Sequence, residues 1–185
     1  MTRTIDTGIR CAAWTPLILH LLAMEKLTEE ELDEIIASME QQFLYLYQSY
    51  VPKYRQSNWG VLQTTSILQN GAWFGEYFDS ERMQEILTWA QKELLAQLES
   101  QIYDDGSHWE QSMMYHIEVL NSVTVMLISR KRAGVRTPKG VEEILYGMYD
   151  YVMHAAGPDH LQIAQGDSDV TDIRDVMTRG AMLFE

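Results

Sequence analysis

Residues 56–75 read QSNWGVLQTTSILQNGAWFG, a window without a single Asp, Glu, Lys or Arg. Apolar residues recur along it at helical spacing, yet Gln63, Thr64, Thr65, Ser66, Gln69 and Asn70 occupy its middle. So many polar groups have no place among lipid tails, where none would find a partner. The window therefore predicts a helix from Asn58 to about Trp73, buried among protein on all sides. The stretches around it set the architecture.

Before it, a first helical stretch runs from about Ile9 to Met24, with no formal charge after Cys11 until its end; Thr15-Pro16 marks its start or a kink. A second stretch opens at Thr28-x-x-Glu31, a capping box in which side chain and backbone exchange hydrogen bonds. Its apolar residues Leu32, Ile35, Ile36, Met39, Phe43 and Leu46 form one stripe. After the charge-free window, a fourth stretch from about Ser80 to Tyr103 is again one-sided, with acidic and basic residues opposite its stripe. A fifth, from about Gln111 to Ala133, is apolar nearly all round. A sixth follows Thr137-Pro138 and runs to about Ala156 with Glu142, Glu143 and Asp150 on one face. An irregular segment, 157–169, precedes a seventh stretch from about Val170 to Phe184. No segment alternates as a strand would.

The class is all-α, and the order of kinds is informative. Stretches one, three and five are charge-poor; two, four and six are charged on one face. This in–out alternation predicts αα-hairpins in an inner and an outer layer, an arc of an incomplete (α/α) toroid, over a single domain from 1 to 185. A four-helix bundle would put an amphipathic stripe on every helix, and no fixed-period repeat supports a solenoid. Both ends of the chain read as cut from a larger helical ring, which would leave an apolar edge open and favour self-association.

Composition narrows the function. The chain has 185 residues, 14 Lys plus Arg against 27 Asp plus Glu, and a net charge of -13. Nucleic-acid binding needs a dense cationic surface, so it is excluded as a general role. No stretch reaches the length of a membrane span. Residues 16–24, PLILHLLAM, lack the basic flank and cleavage site of a signal peptide. The expectation is a soluble bacterial protein of cytoplasm or periplasm. One cysteine, Cys11, rules out an internal disulfide framework and a thiolate metal site. Metal-protease, nucleophile-elbow and phosphate-loop motifs are missing; no metal and no cofactor are expected.

Three constellations could carry chemistry. The densest is 105–116, DGSHWEQSMMYH, which puts His108, Trp109, Glu110, Tyr115 and His116 at the mouth of the buried fifth helix. Glu110 or Ser112 could simply cap that helix, while Tyr and His serve acid–base work if their proton affinities are tuned. Asn58-Trp59 opens the third helix, as an N-cap or as an amide donor beside an aromatic platform for sugar. The third is 166–172, GDSDVTD, at a loop-to-helix junction; it lacks the calcium-loop ligand pattern, and Ser168 or Asp169 could cap the seventh helix with Arg174 or Arg179 as ion-pair partners. The basic residues Arg130, Lys131, Arg132, Arg136 and Lys139 read as a solvated helix end.

Several blocks together resemble the helical domain of the heparinase II/III-like polysaccharide lyases. These are Thr7-Gly8-Ile9-Arg10 with Trp14, Ser57-Asn58-Trp59, the run from Gln101 to Gly106 into Glu110-Gln111-Ser112-x-x-Tyr115-His116, Pro158-Asp159, and Gly166-Asp167-Ser168-Asp169 before Arg174-Asp175. The resemblance spans about 5–184. It implies an incomplete (α/α) toroid followed in relatives by a β-sandwich domain that supplies another catalytic side chain. It also implies β-elimination on uronic-acid polysaccharide, heparan- or alginate-like, with an acidic polysaccharide or oligosaccharide as the partner. By the same resemblance Asn58 neutralises the uronate carboxylate, Tyr115 gives or takes the proton at the scissile linkage, and His116 orients it. Trp59, Trp109, Glu110, His108, Arg10 and Asp167 would line the substrate subsite. Many relatives have His after the Asn; here it is Trp59. Two rivals stay open: a non-catalytic carbohydrate-binding or scaffold domain, and an (α/α)-ring glycoside hydrolase. The hydrolase would need two carboxylates roughly 5–10 Å apart, with Glu110 and Asp167 as the pair. A lyase site requires Asn58, Tyr115 and Asp167 to open on one cleft.

Overall fold

The computed structural model describes residues 3–78 and 80–184. Its α-helices are α1 (Thr4–Ala23), α2 (Glu29–Gln48), α3 (Asn58–Phe74), α4 (Glu81–Gln101), α5 (Met113–Arg132), α6 (Val141–Ala155) and α7 (Arg174–Phe184), with short 3₁₀ turns at Pro52–Gln56 and Gly75–Tyr77. Among the described residues the only β-pairing is three isolated bridges. The fold is all-α, and no described helix is long and apolar enough to cross a membrane.

The charge-free window forms the centre. Helix α3 packs on α1, α5 and α4, while α5 also holds α7. Side-chain contacts fix the direction: Gln63 reaches Thr4 and Asn70 reaches Cys11 and Thr15 across α1–α3, while Asn58 meets Glu110 just before α5 and Trp73 meets Ser129 near its end. Thus α1, α3 and α5 run parallel, with their N-termini at one end. Arg179 of α7 donates to Asn121 of α5, and Lys131 near the end of α5 donates to the Leu183 carbonyl near the end of α7, which gives α7 the same sense. Helices α2, α4 and α6 return outside them, so the inner and outer layers follow the alternation of charge.

The polar side chains in the middle of α3 are hydrogen-bonded, as burial demands, except that Gln63 Oε1 has no partner among the described residues. Thr64 Oγ1 donates to Gln97 Oε1 at 2.7 Å, Ser66 to the Gln63 carbonyl, and Asn70 Nδ2 to the carbonyls of Cys11 and Ser66. Pro16 lies inside α1 and neither starts nor ends it. Its missing N–H leaves the Ala12 carbonyl open, and Gln69 Nε2 donates to that carbonyl from α3 at 3.3 Å. The capping box at Thr28 and Glu31 forms as the sequence predicts. The outer stripes bury Met39, Phe43 and Leu46 of α2 against Ile86, Leu94 and Leu98 of α4 in one core, with Phe43 edge-on to Phe78 at 5.7 Å.

Two helix starts differ from the sequence reading. Helix α6 begins after Gly140, which takes the left-handed conformation, rather than at Thr137-Pro138. Helix α7 begins at Arg174, not Val170, because 157–173 is an ordered strap with its own bonds: Gln162 N–H to the Thr171 carbonyl, Gln162 Nε2 to the Asp169 carbonyl and Ile173 N–H to the His160 carbonyl. On the α6–α7 side Tyr146, Met153 and Phe184 are exposed.

Candidate functional site

The parallel inner helices bring the N-termini of α3 and α5 to the same end, and two hydrogen-bonded pairs stand there. Ser57, not Asn58, caps α3: its hydroxyl accepts from Trp59 N–H at 3.2 Å. That frees the Asn58 amide. Asn58 Nδ2 donates to Glu110 Oε2 at 3.0 Å and its backbone N–H to Glu110 Oε1 at 3.1 Å. The carboxylate thereby satisfies a further orphan donor of α3, at the end where the helix dipole favours negative charge.

The second pair joins α5 to the strap. Tyr115 Oη donates to Asp167 Oδ2 at 2.5 Å. Ser112 caps α5 by accepting from Tyr115 N–H, and it donates its hydroxyl to the Asp167 carbonyl at 2.8 Å. Ser168 does not cap α7; its hydroxyl accepts from Met114 N–H at 2.7 Å and so caps α5 from the strap. Gly166 permits this docking. Its φ is +67°, and a Cβ there would lie 2.8 Å from the Gln111 carbonyl oxygen, strained in both respects. Asp172, bonded to the Arg174 N–H and guanidinium, opens α7 instead.

Electrostatics tie the pairs together. Donation to Asp167 holds the Tyr115 phenol above its ordinary pKa, and the Glu110 charge adds to the effect. A negative neighbour disfavours phenolate, so Tyr115 rests as the protonated phenol. Asp167→Asn is expected to bring its titration back down toward the usual phenol value near about 10. Ring-labelled tyrosine NMR, resolving Tyr115 among the 10 tyrosines, checks this; an unmoved titration would mean that Asp167 does not govern the phenol.

The histidines stand behind the surface. His108 is 2% exposed: its Nδ1 accepts from Glu110 N–H, and Nε2 is 2.9 Å from Gln101 Oε1. The resemblance puts His108 on the substrate subsite; the structure instead buries it behind Glu110. His116 is 1% exposed; its Nε2 pairs with the Met148 carbonyl and its ring lies against Tyr151. Adjacent positions on a helix point about 100° apart, which turns His116 into the core while Tyr115 faces out. Its Nδ1 has no hydrogen-bond partner among the described residues. Burial lowers both imidazole pKa values to about 4, so both are neutral at pH 7. Both border a cavity of about 190 Å3 with Gln111, Ser112 and Gln165.

The aromatic pair is at the rim. Trp109 is exposed, and Trp59 is half-buried with the Arg3 guanidinium 5.8 Å from its ring centre and Tyr54 beside it. Arg10 lies elsewhere: its Nε donates to Gln42 of α2, away from the Asn58 pair. Sequence reasoning gave no role to Gln101, which is 0% exposed and whose Nε2 donates to the carbonyls of Arg55 and Ser57. The sequence puts Glu93 with the charges opposite the stripe of the fourth helix; the structure buries it instead, where it receives Arg55 in two bonds of 2.8 and 2.6 Å and the Tyr50 hydroxyl. Gln97 and Gln101, four and eight residues on, are buried with it, so α4 turns a polar row inward.

Comparison with known proteins agrees in kind. A family model described as Heparinase II/III N-terminus matches residues 1–184. Two solved structures of a heparinase III, the BT4657 gene product, superpose with TM-scores of 0.80 and, for the form with methylated lysines, 0.78. Each is 18% identical in sequence, with 98% of this chain and 28% of that chain covered. The chain therefore spans less than a third of the length of the structures it matches. No curated protein matched.

Proposed function

The chain belongs to the heparinase II/III N-terminus family, and on that premise we propose that it forms the helical part of a lyase that cleaves uronic-acid polysaccharide, heparan- or alginate-like, by β-elimination. The observation that carries the proposal is the pairing of Asn58 with Glu110 and of Tyr115 with Asp167 at one end of parallel helices. The all-α fold with its inner and outer helices supports this reading.

In β-elimination a base takes the proton from C5 of the uronate, a double bond forms between C4 and C5, and the C4–O4 bond breaks as O4 receives a proton. The proton at C5 is weakly acidic because the neighbouring carboxylate is already charged. Catalysis therefore depends on neutral donors placed where charge develops. Asn58 is suited to this task. Its Nδ2 has two hydrogens, and Glu110 fixes the amide with one of them, leaving the other for the uronate carboxylate. Tyr115 is suited to the acid role. Its phenol holds its proton against Asp167 and passes it to O4 as the bond breaks. Trp59 and Trp109 flank the pair as faces on which sugar rings stack. The base at C5 is the side chain that the resemblance assigns to the β-sandwich domain of relatives.

The net charge of -13 opposes a polyanion at long range, so recognition rests on these neutral donors, with salt expected to assist binding. The test is turnover by the enzyme carrying this chain on a panel of alginate, heparosan and heparan sulfate. The expected result is ultraviolet absorbance from the unsaturated uronate at the new end. Reducing ends without that absorbance would replace the lyase with a hydrolase. Binding without turnover would leave a carbohydrate-binding domain.

A further inference from the structure

Five groups close a ring of bonds around Asn58. Its side chain and N–H both hold the Glu110 carboxylate. The Glu110 N–H donates to His108 Nδ1 at 3.3 Å, and His108 Nε2 donates to Gln101 Oε1 at 2.9 Å. Gln101 Nε2 donates to the Arg55 carbonyl at 2.7 Å and to the Ser57 carbonyl at 3.2 Å, and Ser57 is joined to Asn58 by a peptide bond. Backbone bonds fix the same turn from below: Trp109 N–H donates to the Gln101 carbonyl at 2.8 Å and Tyr103 N–H to the Ser107 carbonyl at 2.9 Å.

We propose that Gln101 and His108 are positioning residues that lock the Asn58 amide against Glu110 by tying the loop before α3 to the turn before α5. Neither residue reaches the surface, so each acts through the pair it holds. The chemistry of each fits its place. Only a side-chain amide offers two donor hydrogens for the two carbonyls and an acceptor for the imidazole from one planar group. Only a neutral imidazole accepts at one nitrogen while donating at the other, and burial keeps His108 neutral. Loss of either residue opens the ring, and a misplacement of the amide by an ångström costs about a hundredfold in rate. This inference rests on the lyase reading only where it speaks of rate.

The deciding experiment needs no substrate. In this chain, labelled with ¹⁵N, backbone exchange at Asn58 and Glu110 and exchange of the Asn58 side-chain NH₂ are compared between wild type and variants. Gln101→Leu and His108→Leu are each expected to speed that exchange about tenfold, the loss of roughly one hydrogen bond, while the amides of α2 and α6 keep their protection. His108→Asn retains an acceptor near the Nδ1 position and is expected to keep Glu110 N–H protected. Unchanged exchange at Asn58 in both Leu variants would overturn the proposal. So would an equal loss across α2 and α6, which marks mere core damage, or an identical response to His108→Asn and His108→Leu. Where a Leu variant does not fold, Gln101→Glu serves, since it keeps shape and removes the donors. In the enzyme, the variants that speed exchange are expected to lower kcat by a larger factor than they raise KM. Intact kcat beside faster exchange would overturn the rate claim and leave the ring.

Discussion

Tyr115→Phe in the enzyme carrying this chain is expected to slow formation of unsaturated uronate by about 10²–10⁴-fold, the usual worth of a positioned acid or base. The substitution is a clean one. Tyr115 is half-buried at the rim, and its ring packing survives in Phe. The lost bond leaves Asp167 in solvent, where an unpaired carboxylate costs little; the strap remains held by Ser112 and Ser168. Thermal stability should therefore stay near wild type while kcat falls. Asn58→Leu is expected to cost about 10²–10³-fold, as for loss of one donor at a developing charge. It also leaves Glu110 held by the residue-58 N–H alone, a less restrained carboxylate beside the substrate's own, so binding weakens as well as rate. The double variant should be little worse than Tyr115→Phe alone, because groups acting in one step do not add. Should Tyr115→Phe keep wild-type kcat on every substrate turned over, the phenol has no part in the chemistry.

The pH dependence follows from the same groups. His108 and His116 have folded pKa values lowered to about 4 by burial, against about 6.5 in an unfolded chain. Below about pH 6.5 the unfolded chain takes up protons that the folded chain refuses, so stability is full above that pH and declines as pH falls toward 4.

The fold was legible because burial leaves a mark on composition. A helix covered on every side tolerates no charge, and the contrast of 56–75 with the one-sided stretches on either side gave two layers before any contact was known. The polar residues of α3 were legible as buried but not as partnered. That Gln69 serves the carbonyl freed by Pro16 depends on the register between α1 and α3, which no local pattern encodes. The site was legible in part for the same reason. Glu110, Tyr115 and Asp167 stood out as chemistry-bearing residues near helix starts, but their pairing depends on which helix ends share a face. Ser168 shows the limit: its sequence position suits a cap for the helix that follows, and it caps α5 instead. Asn58 was read as a possible cap because Ser57 and Asn58 are equally good at it; the choice of Ser57 is what leaves the amide available. Gln101 stood in a motif but without a role, because a glutamine at a helix end has no distinctive signature until its partners are known.

Gly60→Ala sets local propensity against packing, with opposite signs. Gly60 lies in the first turn of α3, where Ala stabilises a helix over Gly by up to about 1 kcal/mol. The surroundings forbid it. A Cβ at this position would stand 2.0 Å from the Tyr54 carbonyl oxygen, 2.8 Å from the Tyr54 carbonyl carbon and 2.8 Å from Gln97 Nε2. The first two are backbone atoms of the 3₁₀ turn Pro52–Gln56, so relief requires the turn itself to move. That turn is held by the Arg55–Glu93 ion pair and by Gln101 on the Arg55 and Ser57 carbonyls, with the Glu93-bound Tyr50 just before it. Overpacking of this kind costs about 1–3 kcal/mol, and a clash with pinned backbone belongs at the top of that range. After the gain in propensity, a net loss of about 2 kcal/mol is expected. Urea unfolding should show a lower midpoint at an unchanged slope. Since the displaced turn leads directly into Asn58, catalytic loss should accompany the destabilisation even at temperatures where the variant is fully folded. A Gly60→Ala protein as stable as wild type would mean that the turn yields freely, and the rigid presentation of Asn58 argued from it would fall with that result.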